Sequence, residues 1–221
     1  MTARSRSRDA RSSGKGNRAA PALRNPVKPA GLFPVFLKLA GMPCLVVGAG
    51  HVGQSKIESL LLARAAVRVV APQATAAVRT LARKERIQWA RREFLPADLG
   101  GIFLVVAATS SSALHDQIYR HAKRRGVLCN VVDDPEHCDF YYPAVVRRGP
   151  LQIAISTDRH SPSLAQHIRQ RLEIQFGPEY AAWVERLGAA RRKLFSRTMD
   201  PERRRRVLRR IARLRPKKGT V

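Results

Sequence analysis

Three glycines near residue 50 form a pattern typical of dinucleotide-binding turns. Gly48, Gly50 and Gly53 have the spacing GxGxxG, directly after the apolar run CLVVG and at the start of a helical pattern over residues 50–64. In this context the first glycine permits a tight turn, the second lets the backbone approach a pyrophosphate, and the third allows close packing of helix on strand. The helix N-terminus adds amide donors and a partial positive charge. We therefore predict a dinucleotide site in preference to a purely structural glycine-rich turn.

The next apolar run, VRVVAPQAT, ends without the acidic residue that usually binds the ribose hydroxyls of NAD. Gln73 stands near that place, and an amide binds a diol more weakly than a carboxylate does. The choice between NAD and NADP therefore stays open. Arg64 and Arg68 are candidates for a phosphate contact, but arginines at helix ends and on strands are more often solvated, so we do not assign them to the site.

Polar side chains accompany two further apolar runs. Thr109 ends the run IFLVVAAT, whereas Asn130 lies within VLCNVV and Asp133 directly follows it. The carboxyl ends of such strands line the ligand crevice of doubly wound sheets, so Thr109 suits the nicotinamide side of a cofactor. Residues 110–112 are equally suited to capping a helix. Asp133, partly desolvated beside an apolar wall, would act as a general base.

The stretch after Asp133 contains three more reactive side chains. Asp134 precedes a proline and is best explained as a turn residue. His137 and Cys138 are adjacent, so their side chains point apart, and no second cluster of ligands follows. We expect structural roles for both and predict no metal site.

The spacing of apolar runs indicates the elements that position these residues. Short apolar runs alternate with longer segments of mixed polarity from residue 32 onward, which predicts alternating strands and helices. Strands are expected at LFPVFLKL, PCLVVG, VRVVA, IQWAR, IFLVVAAT and VLCNVV, with helices over 50–64, 74–84 and 111–125. Near-continuous apolar strands indicate a parallel sheet covered on both faces. The fold class is therefore α/β, with a Rossmann-like domain over residues 31–139.

The alternation stops after Asp133. FYYPAVVRRGPLQIAIS predicts a β-hairpin turning at Gly149, over residues 140–160. Ser161 and the following proline predict the start of a helix that extends to about residue 175, and further helices are expected over 179–196 and 200–214. We assign 161–215 to a small helical domain. Because that domain is too small for its own core, we expect a second subunit to complete it.

Charge is concentrated at the ends of the chain. The formal net charge is +26, of which residues 1–30 carry +7 and residues 191–221 carry +12. The central region is only mildly basic, which suits an acidic small molecule rather than a polyphosphate. We expect residues 1–30 and 216–221 to be tails, the first of them disordered. The tails are either solvated or in loose contact with nucleic acid or an anionic membrane.

Composition excludes several classes of protein. No apolar run approaches the length of a membrane span, and the three cysteines show no disulfide or zinc spacing. The basic start is not followed by the apolar core of a signal peptide. A cytoplasmic location is the simplest expectation.

Several motifs, taken together over residues 32–196, resemble a known family. The segments CLVVGAGHVGQSKIESLL, CNVVDDPEHCDFYYPA and LQIAISTDRHSPSLAQHIRQRLE resemble, in order and separation, the siroheme synthase N-terminal module, the precorrin-2 dehydrogenase and sirohydrochlorin ferrochelatase family. The resemblance implies oxidation of precorrin-2 to sirohydrochlorin with NAD. It also implies insertion of ferrous iron, as a substrate, in many members. The implied assembly is an intertwined homodimer.

The resemblance also implies residue roles. Asp133 matches the aspartate assigned to both reactions, removing a proton from the polycarboxylate tetrapyrrole. The implied cofactor contacts are Gly48, Gly50, His51, Val52, Gly53, Gln73, Ala74 and Thr109. The implied substrate contacts are Asn130, Thr157, Arg159 and Ser161, and the further arginines that would bind its carboxylates are Arg147, Arg148 and Arg169.

Two departures from the family pattern affect these expectations. The family commonly has two small residues after the IST motif, where this chain has Asp158, Arg159 and His160. Bulky charged residues there would change how the macrocycle is bound, above all for chelation. The methyltransferase domain of the trifunctional enzymes is also missing, so we expect another protein to methylate uroporphyrinogen.

Two alternatives to a bifunctional enzyme stay open. The first is a dehydrogenase that leaves chelation to another protein. The second is a Rossmann module that senses NAD against NADH, with basic tails that contact nucleic acid. The sensor gains support from the charge of +26, but no helix-turn-helix pattern is evident and the charge lies outside the glycine domain, so neither membrane nor nucleic acid is an expected partner.

Overall fold

The computed structural model describes residues 31–196, 200–214 and 216. From residue 34 onward these form one compact unit, built on a parallel sheet of five strands in the order β3-β2-β1-β4-β5. The strands are β1 (Pro43–Ala49), β2 (Ala66–Ala74), β3 (Gln88–Ala90), β4 (Leu104–Ala107) and β5 (Leu128–Val131). This order places β1 at the centre, where the chain switches sides, so ligands are expected at the carboxyl ends of β1 and β4.

The central strands are buried on both faces, as their apolar sequences require. Val46 of β1 is in register with Val69 of β2 and Val106 of β4, and all three side chains are at most 1% exposed. In a strand with one face in solvent, apolar and polar residues alternate along the sequence, whereas all four residues of β4 are apolar. The predicted α/β fold with a parallel sheet is confirmed.

Helices α1 (His51–Leu62), α2 (Ala76–Arg83) and α3 (Ser112–Arg125) cover the sheet. Ile57 of α1 and Val78 of α2 pack with Val46 on one face, whereas Ile118 of α3 packs with Leu45 on the other. Alternate residues of β1 therefore point to opposite helical layers. Each crossover returns the chain to the same edge and so brings the loops that follow the strands together.

The chain continues into the predicted hairpin and helices. Strands β6 (Ala144–Arg148) and β7 (Leu151–Ile155) are antiparallel and are followed by α4 (Pro162–Gln175), α5 (Glu179–Phe195) and α6 (Pro201–Ala212). The Ser161 hydroxyl accepts a hydrogen bond from the Leu164 amide, which confirms the predicted N-cap of α4. Arg148 ties the hairpin to the end of α4, because its Nε donates to the carbonyl oxygen of Phe176 at 2.8 Å.

The first predicted strand is wrong. Residues 32–39 are not part of either sheet, and the side chains of Val35, Phe36 and Leu37 are exposed whereas that of Leu39 is buried. The apolar run alone suggested a strand. A strand also needs a hydrogen-bonded neighbour, and in the described region the sheet ends at β3 and β5.

The predicted tail over residues 1–30 lies outside the described residues, as does nearly all of 216–221. Among the helices that are described, none has both the length and the apolar character needed to cross a bilayer.

Candidate functional site

The glycine turn has the geometry that its spacing predicts. Gly48 has a φ of +100°, and a Cβ there would lie 2.3 Å from the carbonyl oxygen of Ala108. A Cβ on Gly53 would lie 2.2 Å from the carbonyl oxygen of Gly48. A Cβ on Gly50, by contrast, would meet open space. Gly48 and Gly53 are therefore required by the protein's own packing, whereas Gly50 leaves room that a bound ligand would fill.

The first turn of α1 presents backbone donors to that room. The first intrahelical hydrogen bond runs from the Gln54 amide to the Gly50 carbonyl, at 2.8 Å, so the amides of His51, Val52 and Gly53 precede it. Within the described chain no side chain caps this helix end. Free amides at a helix N-terminus bind phosphate well. The residues present fit the pyrophosphate of a dinucleotide.

The predicted ribose edge lies beside this turn. Ala74 is in register with Ala49 at the ends of β2 and β1, and the Thr75 amide donates to the Ala49 carbonyl at 3.0 Å. The Gln73 side chain is exposed at the same edge. The loops after β1 and β2 are thereby joined next to the glycine turn.

Arg79 is a residue of this edge that the sequence analysis missed. Its Nη1 donates to the Ala74 carbonyl at 2.5 Å, which holds a guanidinium at the residue that follows Gln73. Arg64, which the sequence analysis set aside, follows the C-terminal end of α1 at the opposite edge of the sheet, where its carbonyl accepts from the Gly41 amide. Neither arginine has a distinctive sequence context. Only the folded position of α2 shows that Arg79, and not Arg64, lies at the ribose edge.

Thr109 follows the carboxyl end of β4 and lies against the glycine turn, and its predicted place at the nicotinamide stays a prediction. The Ala108 amide donates to the Val47 carbonyl at 2.8 Å, and the Thr109 methyl group would be 3.3 Å from a Cβ on Gly48. The carbonyl oxygen of Thr109 is 2.9 Å from Nε2 of His115 on α3. Ser111 caps α3 by accepting from the Leu114 amide. The loop after β4 is thus fixed both to the turn and to α3.

Asp133 occupies a turn directly after β5. Its φ is +62°, a left-handed conformation that costs free energy in residues other than glycine, asparagine and aspartate. Its side chain is exposed. The expectation of a carboxylate partly desolvated beside an apolar wall is therefore wrong for this chain, because the residue is exposed to solvent.

Hydrogen bonds fix the residues on either side of that turn. The Asn130 side chain is buried, and its Nδ2 donates to the Phe140 carbonyl at 2.8 Å. Asp139 accepts from the Cys129 amide at 3.0 Å and forms an ion pair with Lys123. Asn130 thus has a structural contact, and its predicted contact with substrate stays a prediction.

His137 and Cys138 hold the same segment together. Nδ1 of His137 is 2.6 Å from Oδ2 of Asp134, and Nε2 is 3.4 Å from Oδ1 of Asp116 on α3. The hydrogen bond with His137 keeps the pKa of the Asp134 carboxyl below its ordinary value of 3.8. The Cys138 thiol lies 3.1 Å from the carbonyl oxygens of Val131 and Asp134. These contacts give both residues the structural role that was expected.

The loop between β7 and α4 approaches the Asp133 turn through Arg159. The Arg159 guanidinium lies 5.1 Å from the centroid of the Tyr141 ring, and the Tyr141 hydroxyl donates to the Pro135 carbonyl at 3.0 Å. Thr157 and Ser161 are joined to each other, since the Thr157 hydroxyl donates to the Ser161 carbonyl. Arg159 is the residue of this loop that extends toward the turn.

The other candidate arginines have different surroundings. Arg148 holds α4, as described above, and Arg169 forms an ion pair with Glu173 at 2.6 Å. Arg147 is an exposed residue of β6. Arg159 contacts the 131–142 segment at Tyr141, whereas the contacts described for these three arginines lie elsewhere.

Lys56 is a second residue that the sequence analysis missed. It lies on α1, one turn after Gly53, and its Nζ is 3.8 Å from the centroid of the Tyr142 ring. Burial lowers the pKa of this ammonium group, whereas the nearby charge of Asp133 opposes that shift. In the sequence, the one feature that could have indicated Lys56 is its position three residues after Gly53 in the predicted helix.

Comparison with known proteins agrees with this geometry. Residues 35–144 match a family model described as putative NAD(P)-binding, and residues 148–175 match one described as the central region of sirohaem biosynthesis proteins. The structure is similar to that of "SirC, precorrin-2 dehydrogenase", with a TM-score of 0.71 and 28% sequence identity, covering 81% of this chain and 89% of that one.

Two curated relatives are siroheme synthases. The chain is 41% identical over 153 residues to a siroheme synthase from Neisseria meningitidis serogroup C, covering 69% of this chain and 32% of the relative. It is 43% identical over 141 residues to siroheme synthase 1 of Yersinia enterocolitica, covering 64% of this chain and 30% of the relative. The chain spans about a third of the length of these relatives.

These matches bear on the cofactor as well as on the family. The NAD(P)-binding model spans the glycine turn, residues 73 and 74 and Asp133, and with the precorrin-2 dehydrogenase structure it confirms NAD as the predicted cofactor. The contacts predicted for individual residues stay predictions. Sirohaem-specific similarity continues through β7 and α4. These matches confirm the predicted resemblance to the siroheme synthase N-terminal module family.

Proposed function

We propose that this protein oxidises precorrin-2 to sirohydrochlorin with NAD. The observation that carries the proposal is that the open turn at Gly50 and the exposed residue Asp133 follow strands β1 and β5 at the same end of the sheet. NAD, when bound, accepts a hydride at the nicotinamide C4. The likeness to a precorrin-2 dehydrogenase structure supports the choice of substrate.

Asp133 is the base in this proposal. Loss of two hydrogens from the macrocycle sends a hydride to the nicotinamide and a proton to a carboxylate. An exposed carboxylate after β5 is accessible to a large ring, and the contacts of Asn130 and Asp139 hold the turn that carries it. In this role Asp133 accepts a proton and forms no covalent bond to the substrate, so what the protein must supply is a fixed position for its carboxylate.

The cofactor is held by residues on three loops. The amides of His51, Val52 and Gly53 would bind the pyrophosphate. Gln73 and Ala74 would contact the ribose, and Thr109 would limit the nicotinamide side. Substrate contacts are proposed for Arg159, Thr157, Ser161 and Asn130. Of these, Arg159 carries the charge that would attract a polycarboxylate.

We propose ferrous iron insertion as a separate activity of the same site, in which Asp133 removes pyrrole protons. Asp158 and Arg159, in the loop that departs from the family pattern, both have positive φ. Anaerobic incubation of the protein with sirohydrochlorin and ferrous iron tests it, and a rate equal to the uncatalysed one excludes it.

The proposed assembly is a cytoplasmic homodimer with the predicted division into residues 31–139, 140–160 and 161–215. Its support is apolar surface on the helical part, where Leu164, Ile174 and Phe195 are 49%, 84% and 54% exposed. A second copy that covered these side chains would remove apolar surface from water. Sedimentation of the purified protein tests this, and a monomer at micromolar concentration contradicts it.

Incubation of the purified protein with enzymatically made precorrin-2 tests the proposed function. With NAD, the absorption spectrum of sirohydrochlorin should appear together with an equal amount of NADH, and without NAD it should not. A sensor of the NAD/NADH ratio would bind the dinucleotide and leave precorrin-2 unchanged. That outcome, with demonstrably active substrate, would refute the dehydrogenase.

A further inference from the structure

Lys56 lies where the cofactor helix meets the segment that carries Asp133. It is the sixth residue of α1, and its ammonium group is against the Tyr142 ring, which follows the Asp133 turn in sequence. The side chain is half-buried. Lys56 therefore links α1, which would hold NAD, to the segment with Asp133, which would face the tetrapyrrole.

The surroundings of this ammonium group lack a close anion. Among the residues that the structure describes, no carboxylate lies within ion-pair distance of Lys56, and its contact is instead the π face of Tyr142. Burial lowers the pKa of the group, and Asp133 compensates only through longer-range charge. A half-buried cation with an aromatic contact but no counter-ion gains most from an anionic ligand.

We propose that Lys56 binds a carboxylate of the tetrapyrrole and so positions the ring over Asp133. The inference rests on the proposed function, since it assumes a polycarboxylate substrate. Arg159, the cation at the neighbouring Tyr141, would bind a second carboxylate of the same ring. Two cations on adjacent tyrosines would fix the orientation of the macrocycle better than one.

The position of Lys56 favours substrate over cofactor as the ligand. In the proposed site, backbone amides at the start of α1 would bind the pyrophosphate. The ribose would lie at the end of β2, near Gln73. Lys56 is instead one turn further along α1 and within electrostatic range of Asp133, on the β5 side. Removing its charge should therefore change affinity for the tetrapyrrole and leave affinity for NAD unchanged.

The test measures binding of sirohydrochlorin, by quenching of protein fluorescence, to the wild type and to three variants. Lys56→Met keeps the aliphatic stem on Tyr142 but loses the charge, whereas Lys56→Arg keeps the charge. Lys84→Gln removes a charge from the exposed C-cap of α2, at the far edge of the sheet, and is the matched control. NAD affinity and the thermal unfolding midpoint are measured for each.

We expect Lys56→Met to weaken sirohydrochlorin binding about tenfold, the effect of losing one charge-assisted hydrogen bond. Lys56→Arg and Lys84→Gln should stay within about threefold of wild type, and NAD affinity should not change in any variant. Equal binding by wild type and Lys56→Met overturns the inference while leaving the proposed function intact. So does a Lys56→Met variant whose NAD affinity and unfolding midpoint fall together with sirohydrochlorin binding. A wild type that neither binds sirohydrochlorin nor oxidises precorrin-2 overturns both.

Discussion

Nδ1 of His137 lies 2.6 Å from Oδ2 of Asp134, the residue immediately after Asp133. The same imidazole reaches Asp116 on α3 through Nε2 and packs against Tyr119, with ring centroids 4.5 Å apart. The turn that presents the proposed base is therefore anchored to a helix of the sheet. Asp133 has a left-handed backbone conformation, which persists only when its surroundings enforce it.

We predict that this pair makes the stability of the protein depend on acid pH. The pKa of Asp134 is lowered by its hydrogen bond with His137, so the stabilisation is complete above the ordinary value of 3.8 and is lost as pH falls through the lower folded value. Asp134→Asn should reduce the loss of stability in that range. Chemical denaturation between pH 5 and 3 measures it, and an unchanged pH dependence in the variant would contradict the assignment.

The three glycines should differ in what they do when replaced by alanine. Gly48→Ala places a Cβ 2.3 Å from a carbonyl oxygen at a φ of +100°, so we expect destabilisation of at least about 2 kcal/mol. Gly50→Ala meets open space, so stability should change by less than about 1 kcal/mol while NAD binding is lost. Denaturant titration and NAD titration of both variants decide the matter. NAD binding retained by Gly50→Ala would exclude the turn as the pyrophosphate site.

Gln73 and Arg79 should set the choice between NAD and NADP. The guanidinium of Arg79, with no acidic residue among residues 73–79, leaves the site permissive toward a 2′-phosphate. Gln73→Glu should raise the ratio of NAD to NADP affinity about tenfold, by adding a diol acceptor and repelling the phosphate. Arg79→Gln should raise the same ratio by weakening NADP alone. Equal ratios in wild type and both variants would place the ribose elsewhere.

The cysteines should be slow to react in the native protein. Burial raises the pKa of Cys44 to about 11 and that of Cys129 to about 12, and it also raises that of Cys138. Little thiolate therefore exists at pH 8. A thiol-exchange reagent should modify all three readily in denaturant and none readily in native protein. Rapid native labelling of Cys129 would show that β5 opens or is misplaced.

The buried parts of the fold could be predicted from sequence because apolar runs and glycine spacing are local signals. β1 and the GxGxxG turn are adjacent in the chain, so one pattern identifies both. The run at 32–39 failed because apolar composition indicates a strand only when a partner is available for its hydrogen bonds.

The site was less predictable because it depends on distant contacts. Lys56 and Arg79 are ordinary helix residues in sequence, and only the packing of α1 against the 131–142 segment and of α2 against β2 reveals them. Asp133 is exposed and has a positive φ, and the sequence Val-Asp-Asp specifies neither.

The reaction of an Asp133→Asn variant with precorrin-2 and NAD tests the central claim most directly. Asparagine tolerates the left-handed conformation at this position, so the variant should fold as the wild type does and bind NAD equally well. We predict that its rate of sirohydrochlorin formation falls about 100-fold or more, the usual effect of removing a general base. Turnover close to that of the wild type, in a variant with normal NAD affinity, would contradict the assignment of Asp133 as the base.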